Sequence, residues 1–214
     1  MIVRWAGDTL LLVEWEQTID VAINRQVMAL AERVRVRAVA GVRDIVPGYC
    51  SLGLHVDPLN ADVGALERII GDRTENASDA DENDQRLVQL PVRYGGQHGP
   101  DLASIAASAG CTPEEVVELH TTPTYRVYML GFVPGFAYLG RVDRRIAAPR
   151  HHTPRDLVPA GSVGIAGEQT GVYPRATPGG WQLIGRTEAV MFDARREPPS
   201  LLQPGNLVRF VAIA

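Results

Sequence analysis

The 214-residue chain has no lysine: all 21 of its basic residues are arginine. That absence excludes a Schiff-base amine, a pyridoxal phosphate anchor, a Walker A lysine and a biotinylated lysine. Any use of ATP or biotin must run without those devices or through a partner. Cysteine is scarce as well. Cys50 and Cys111 form no metal-binding or redox spacing. They read as buried free thiols of a reducing compartment. Long apolar runs are missing. The stretch from Thr9 to Val13 is short and bracketed by Asp8 and Glu14, unlike a signal peptide. Nothing approaches the ~18 consecutive apolar residues of a membrane span. The expectation is a cytoplasmic protein with no membrane contact. HExxH, HxH and paired CxxC patterns are also absent, so no metal site is expected.

What is present is the composition of a soluble globular chain, 45% hydrophobic with a mean hydropathy of −0.04. Its charge is uneven. Residues 1–85 carry 8 arginines against 15 acidic residues, and residues 86–214 carry 13 against 10. A nucleic-acid-binding domain would show a stronger basic face. A small anionic substrate or an acidic partner surface fits the mildly cationic second half better.

The clearest boundary is the polar, acidic stretch 71–86, "GDRTENASDADENDQR", which reads as a linker. Before it, "IVRW" and "TLLLVEW" predict paired strands across a Gly7-Asp8 turn, and "VRDIVPG" with "SLGLHVD" a second hairpin. Ile23, Val27, Leu30 and Val34 share one helical face, as do Val63, Leu66 and Ile70. Residues 1–85 therefore predict a small α+β domain with helices on one sheet face. After the linker, "RLVQLPVRYG" and "YRVYMLGF" read as strands and "DLASIAASAG" as a helix closed by Gly110. "CTPEEVVELH" is a helix whose Thr112, Pro113 and Glu115 spell a capping box. Short apolar runs then alternate with Gly/Pro turns: "SVGIAG", "WQLIGRT", "AVMFD" and "NLVRFVAI". Residues 86–214 predict a mainly-β domain, a closed or nearly closed barrel.

Several residues in this half are candidates for chemistry. "GFVPGFAYLG" reads as a packed β-corner or an aromatic-walled cleft, lined by Phe132, Pro134, Phe136 and Tyr138. Arg155 lies between two prolines, which stiffen its loop for binding a carboxylate or phosphate. Gly179 and Gly180, before Trp181, let a ligand approach backbone N–H groups. His120 ends a capped helix and is a candidate general base, because histidine titrates near working pH. Ser162 lacks a GxSxG setting, so a hydrolase nucleophile is not supported.

"YGGQHGPDL", "GFVPGFAYLG", the run from "TPRDLVPAGSV" to "TPGGWQLIGRT" and "LLQPGNLVRF" together resemble one family. It is the B subunit of the bacterial three-subunit 5-oxoprolinase, also labelled allophanate hydrolase subunit 1. The kinase inhibitor KipI and part of the urea carboxylase carboxyltransferase region resemble it too. Thr177 and Asn206 depart mildly from its pattern. The resemblance implies a cyclophilin-like barrel for the second domain. It implies partners, the A and C subunits, that open 5-oxoproline to glutamate with ATP as co-substrate, bound mainly by the partners. On that reading Arg155 and Arg186 clamp the anion. Gln169, Tyr173 and the Gly179-Gly180 amides stabilise an oxyanion, and His120 moves a proton. The alternatives are a KipI-like inhibitor of a histidine kinase, an allophanate hydrolase or urea carboxylase-type carboxyltransferase component, and, on fold alone, a prolyl isomerase.

Overall fold

The computed structural model describes residues 1–72 and 86–214, in two compact units, Met1–Asp84 and Gln85–Ala214. Most of the acidic stretch read as a linker lies outside the described residues. Its first residue, Gly71, ends a helix rather than opening a loop.

In the first unit, strands β1 (Ile2–Trp5), β2 (Leu10–Glu14), β3 (Val42–Pro47) and β4 (Ser51–Val56) form one antiparallel sheet in the order β1-β2-β4-β3. Period-two alternation drives one face inward: Leu11 and Val13 of β2 join Leu52, Leu54 and Val56 of β4 in the core. Helix α1 (Val21–Val36) covers that core with Val27, Leu30, Ala31 and Val34. Helix α2 (Val63–Gly71) adds Leu66, Ile69 and Ile70. Both helices begin at an aspartate, Asp20 or Asp62, whose carboxylate accepts an orphan first-turn N–H. The buried Asn24 side chain donates to Gly48 O at 3.2 Å, tying α1 to the β3–β4 turn.

The second unit is a seven-stranded closed barrel in the order β10-β7-β6-β13-β5-β12-β9. Its strands are β5 (Leu87–Tyr94), β6 (Tyr125–Leu130), β7 (Ala137–Arg141), β9 (Ser162–Ala166), β10 (Gln169–Val172), β12 (Gln182–Arg186) and β13 (Leu207–Ala212). Neighbours are antiparallel except β5 and β13. Strands β8 (Arg155–Val158) and β11 (Thr177–Gly179) pair separately as a two-stranded sheet. Helices α3 (Leu102–Ala109) and α4 (Pro113–Thr121) follow β5. Gly110 closes α3 at φ 67°, and Thr112 and Glu115 complete the box that starts α4. The expected "AVMFD" strand does not form; the segment makes one isolated bridge, Phe192 to Ser200. Prolines at 198 and 199 remove backbone donors from the chain opposite, which stops a longer ladder there.

Candidate functional site

Glycines on β9 and β10 shape an aromatic corner outside the barrel. Trp181 packs on the backbone at Gly164 and Gly171, where a Cβ would lie 3.1 Å from Trp181 Cβ and 3.2 Å from its Cζ3. Phe136, Tyr138, Tyr173 and Trp181 then meet edge to face, with Phe136 central at 4.8, 5.3 and 5.4 Å from the other three rings. Phe136, Tyr173 and Trp181 are only 1%, 2% and 5% exposed. The corner is therefore packed, and these three rings do not line an open cleft. Burial also pushes the Tyr173 phenol up in pKa, against a backbone hydrogen bond from Trp181. As an oxyanion donor Tyr173 is out of reach.

What the corner presents to solvent is different. Phe132 is 58% exposed at φ 65°, a left-handed conformation that costs energy for a bulky residue. Its ring stands edge-on to Phe136 at 5.6 Å. Pro134 is exposed beside it and Tyr138 half-buried. The exposed Arg150 guanidinium lies 6.0 Å from the centre of the Trp181 ring.

Arg155 is not a free clamp. Its Nη2 donates to Asp101 Oδ1 and Oδ2 at 2.7 and 2.9 Å, and its Nη1 to Trp181 O at 3.3 Å. Asp101 is the N-cap of α3 yet makes no capping bond; its Oδ2 accepts the Leu183 N–H at 2.5 Å instead. Asp101 N returns a bond to Leu183 O at 2.9 Å. His151 Nε2 lies 3.3 Å from the same Oδ2, and the His151 N–H donates to Gly180 O at 2.7 Å. The Gly180 carbonyl thus positions His151, and Gly179 packs against the Tyr173 hydroxyl with no room for a Cβ.

The other candidates lie apart from the corner. Arg186 donates to Ala160 O at 2.9 Å and lines a cavity of about 450 Å³ with Arg93, His98 and Glu188. It is not brought together with Arg155 as a pair. Gln169 sits at the β9–β10 turn, paired with Ala166 and Arg141. His120 is sealed inside the barrel. Tyr94 OH lies 2.8 Å from its Nδ1, Thr170 Oγ1 lies 2.9 Å from its Nε2, and Phe210 stacks at 4.5 Å. Thr170 gives its single hydroxyl proton to Gly164 O at 3.0 Å. It must therefore accept from His120, which fixes the Nε2–H tautomer with Tyr94 donating to Nδ1. Burial pushes the His120 pKa down to about 3. The expectation of a base titrating near working pH is overturned, because the charged imidazolium has no solvation there.

Comparison with known proteins places this geometry. The carboxyltransferase domain family, subdomain C and D, matches residues 1–202. The 5-oxoprolinase B subunit of Bacillus subtilis (strain 168) is 40% identical, covering 97% of this chain and 91% of that protein. The chain belongs to the family of 5-oxoprolinase B subunits. The Escherichia coli O157:H7 member is 45% identical, covering 96% of this chain and 93% of its own length. The solved protein TTHA0988 superposes at a TM-score of 0.84 with 38% identity. This chain is fully covered in that match but spans only 40% of the TTHA0988 chain.

In this family member the sequence alone points to the aromatic run, Trp181 and Arg155. It does not point to Asp101, Arg150 or His151. Nothing local in the sequence marks these three out. Only the fold shows the carboxylate turned to β8 and β12.

Proposed function

We propose that this chain is the B subunit of an ATP-dependent 5-oxoprolinase, opening 5-oxo-L-proline to L-glutamate as an obligate component with the A and C subunits. The observation that carries this is the 40% identity to a protein named as a 5-oxoprolinase B subunit over 97% of this chain. The geometry supports a small, anionic, partly apolar ligand. Phe132 and Tyr138 offer apolar surface, and Arg150 offers a charge with no carboxylate partner among the described residues. We place the substrate carboxylate at Arg150.

ATP is the co-substrate in this reading. The chain carries no glycine-lysine phosphate loop. Arg93 in the other cavity is paired with Glu188 at 2.6 Å, so we assign the nucleotide mainly to the partner subunits. We read the barrel as cyclophilin-like, and no isomerase activity follows from that fold. One observation favours a second reading: the matching family bears the carboxyltransferase name. A carboxyltransferase would need biotin carried by another chain.

The test is glutamate release from 5-oxoproline with ATP, by this chain alone and mixed with the A and C subunits. Release only from the full mixture supports the proposal. A stable complex that releases none, but carboxylates an amide when a biotin carrier is added, overturns it.

A further inference from the structure

Arg155 and Leu183 pin the Asp101 carboxylate from two sides, and it faces one nitrogen of His151. That nitrogen, Nε2, is sealed from solvent and makes no hydrogen bond, although Asp101 Oδ2 lies 3.3 Å away. The His151 side chain as a whole is 32% exposed. A fixed carboxylate beside one ring nitrogen favours the tautomer protonated there and leaves the other nitrogen as a bare acceptor. His151 is held in turn through its backbone bond to Gly180. Its chain neighbour Arg150 lies over Trp181. A base and a cation without a carboxylate among the described residues are therefore neighbours in the chain, and the cation lies over Trp181 of the aromatic corner.

We propose that His151, seated on Asp101, is the proton-transfer residue of this face. The proposal rests on the 5-oxoprolinase reading and deepens it. Nδ1 takes one proton from the water whose oxygen bonds to the lactam carbonyl carbon. The lactam oxygen has by then taken the γ-phosphoryl of ATP, with ADP released. As the ring C–N bond breaks, the imidazolium returns that proton to the departing nitrogen. The products are an amine and an acyl phosphate, which a second water hydrolyses to the carboxylate and phosphate. Arg150 holds the substrate carboxylate meanwhile. The phosphoryl transfer from ATP is not routed through His151.

Two measurements test this. In the reconstituted complex, His151→Gln should lower kcat about 100-fold or more, the range for an acid–base group, with KM little changed. His152→Gln, an exposed neighbour, should leave kcat within about twofold, as for a surface change away from the site. A His151→Gln enzyme with wild-type kcat overturns the proposal. In the isolated full chain, imidazole ¹⁵N spectra should show His151 as the Nε2–H tautomer, with tautomers mixed in Asp101→Asn. A dominant Nδ1–H form overturns it too. A wild-type mixture without activity sinks the 5-oxoproline reading instead, and the spectra then decide whether Asp101 holds a base for another substrate.

Discussion

Asp101 holds Arg155 by a single nitrogen: Nη2 donates to both carboxylate oxygens, at 2.7 and 2.9 Å. The pair links the start of α3 to β8, and the Leu183 N–H extends the link to β12. Asp101→Ala leaves the half-buried guanidinium with only its bond to Trp181 O and leaves the buried Leu183 N–H without a partner. The expected loss is about 3 kcal/mol, the low end for removing one partner of a buried pair, since Arg155 is partly exposed. Urea unfolding of the isolated chain measures it. Arg155→Ala should cost a similar amount, and the double variant less than the sum.

His120 makes stability depend on acid. Its folded pKa of about 3 lies below the ordinary 6.5, so the unfolded chain binds a proton that the folded chain refuses. This contribution is complete above pH 6.5 and is lost as pH falls from 6.5 towards 3. The limiting slope is about 1.4 kcal/mol per pH unit. Unfolding free energies measured across that window should show one proton fewer in His120→Asn than in the wild type.

Thr170 tests the same chain of bonds without touching the ring. Thr170→Val leaves the His120 Nε2–H buried and unpaired, at about 1–3 kcal/mol. Thermal melts report it, and Thr170→Ser should recover most of the loss.

Gly171→Ala probes the aromatic corner. Its Cβ would sit 2.9 Å from Ala137 O and 3.2 Å from both Phe136 Cζ and Trp181 Cζ3. The first of these is backbone in β7 and cannot yield. The variant should lose about 2 kcal/mol by overpacking and shift tryptophan emission to longer wavelength as Trp181 gains water. An unchanged spectrum would show that the corner adapts.

Arg150→Ala addresses ligand binding rather than folding. With no carboxylate paired to Arg150 among the described residues, its loss should cost no more than its exposed contact with Trp181, about 0.5 kcal/mol, and barely move Tm. In the reconstituted complex KM for 5-oxoproline should rise about tenfold, as for one lost charge-assisted contact of ~1.4 kcal/mol.

Local chemistry made much of the fold legible. Thr112, Pro113 and Glu115 mark a helix start within four residues, and Gly110 supplies the left-handed turn before it. Leu11, Val13, Leu52 and Leu54 alternate as a one-sided sheet must. Strand β10 was illegible for a physical reason. Gly171 has no side chain to signal a strand, and it is one because Tyr138 and Gly164 pair with it across the barrel. The site failed in the same way. Asp101 and Arg155 are 54 residues apart, and nothing local tells a capping aspartate from one that leaves its helix unsatisfied. His120 departs from its expected role because burial, invisible in sequence, decides which imidazole meets solvent.

Everything proposed for this chain's chemistry requires substrate to meet it at the Phe132 corner, beside Arg150 and His151. Hydrogen exchange on the reconstituted complex, with and without 5-oxoproline and ATP, decides where substrate sits. Added protection is expected in peptides spanning 131–138, 149–155 and 179–183. Protection confined instead to 93–98 and 186–190, around the Arg93–Arg186 cavity, would refute that placement.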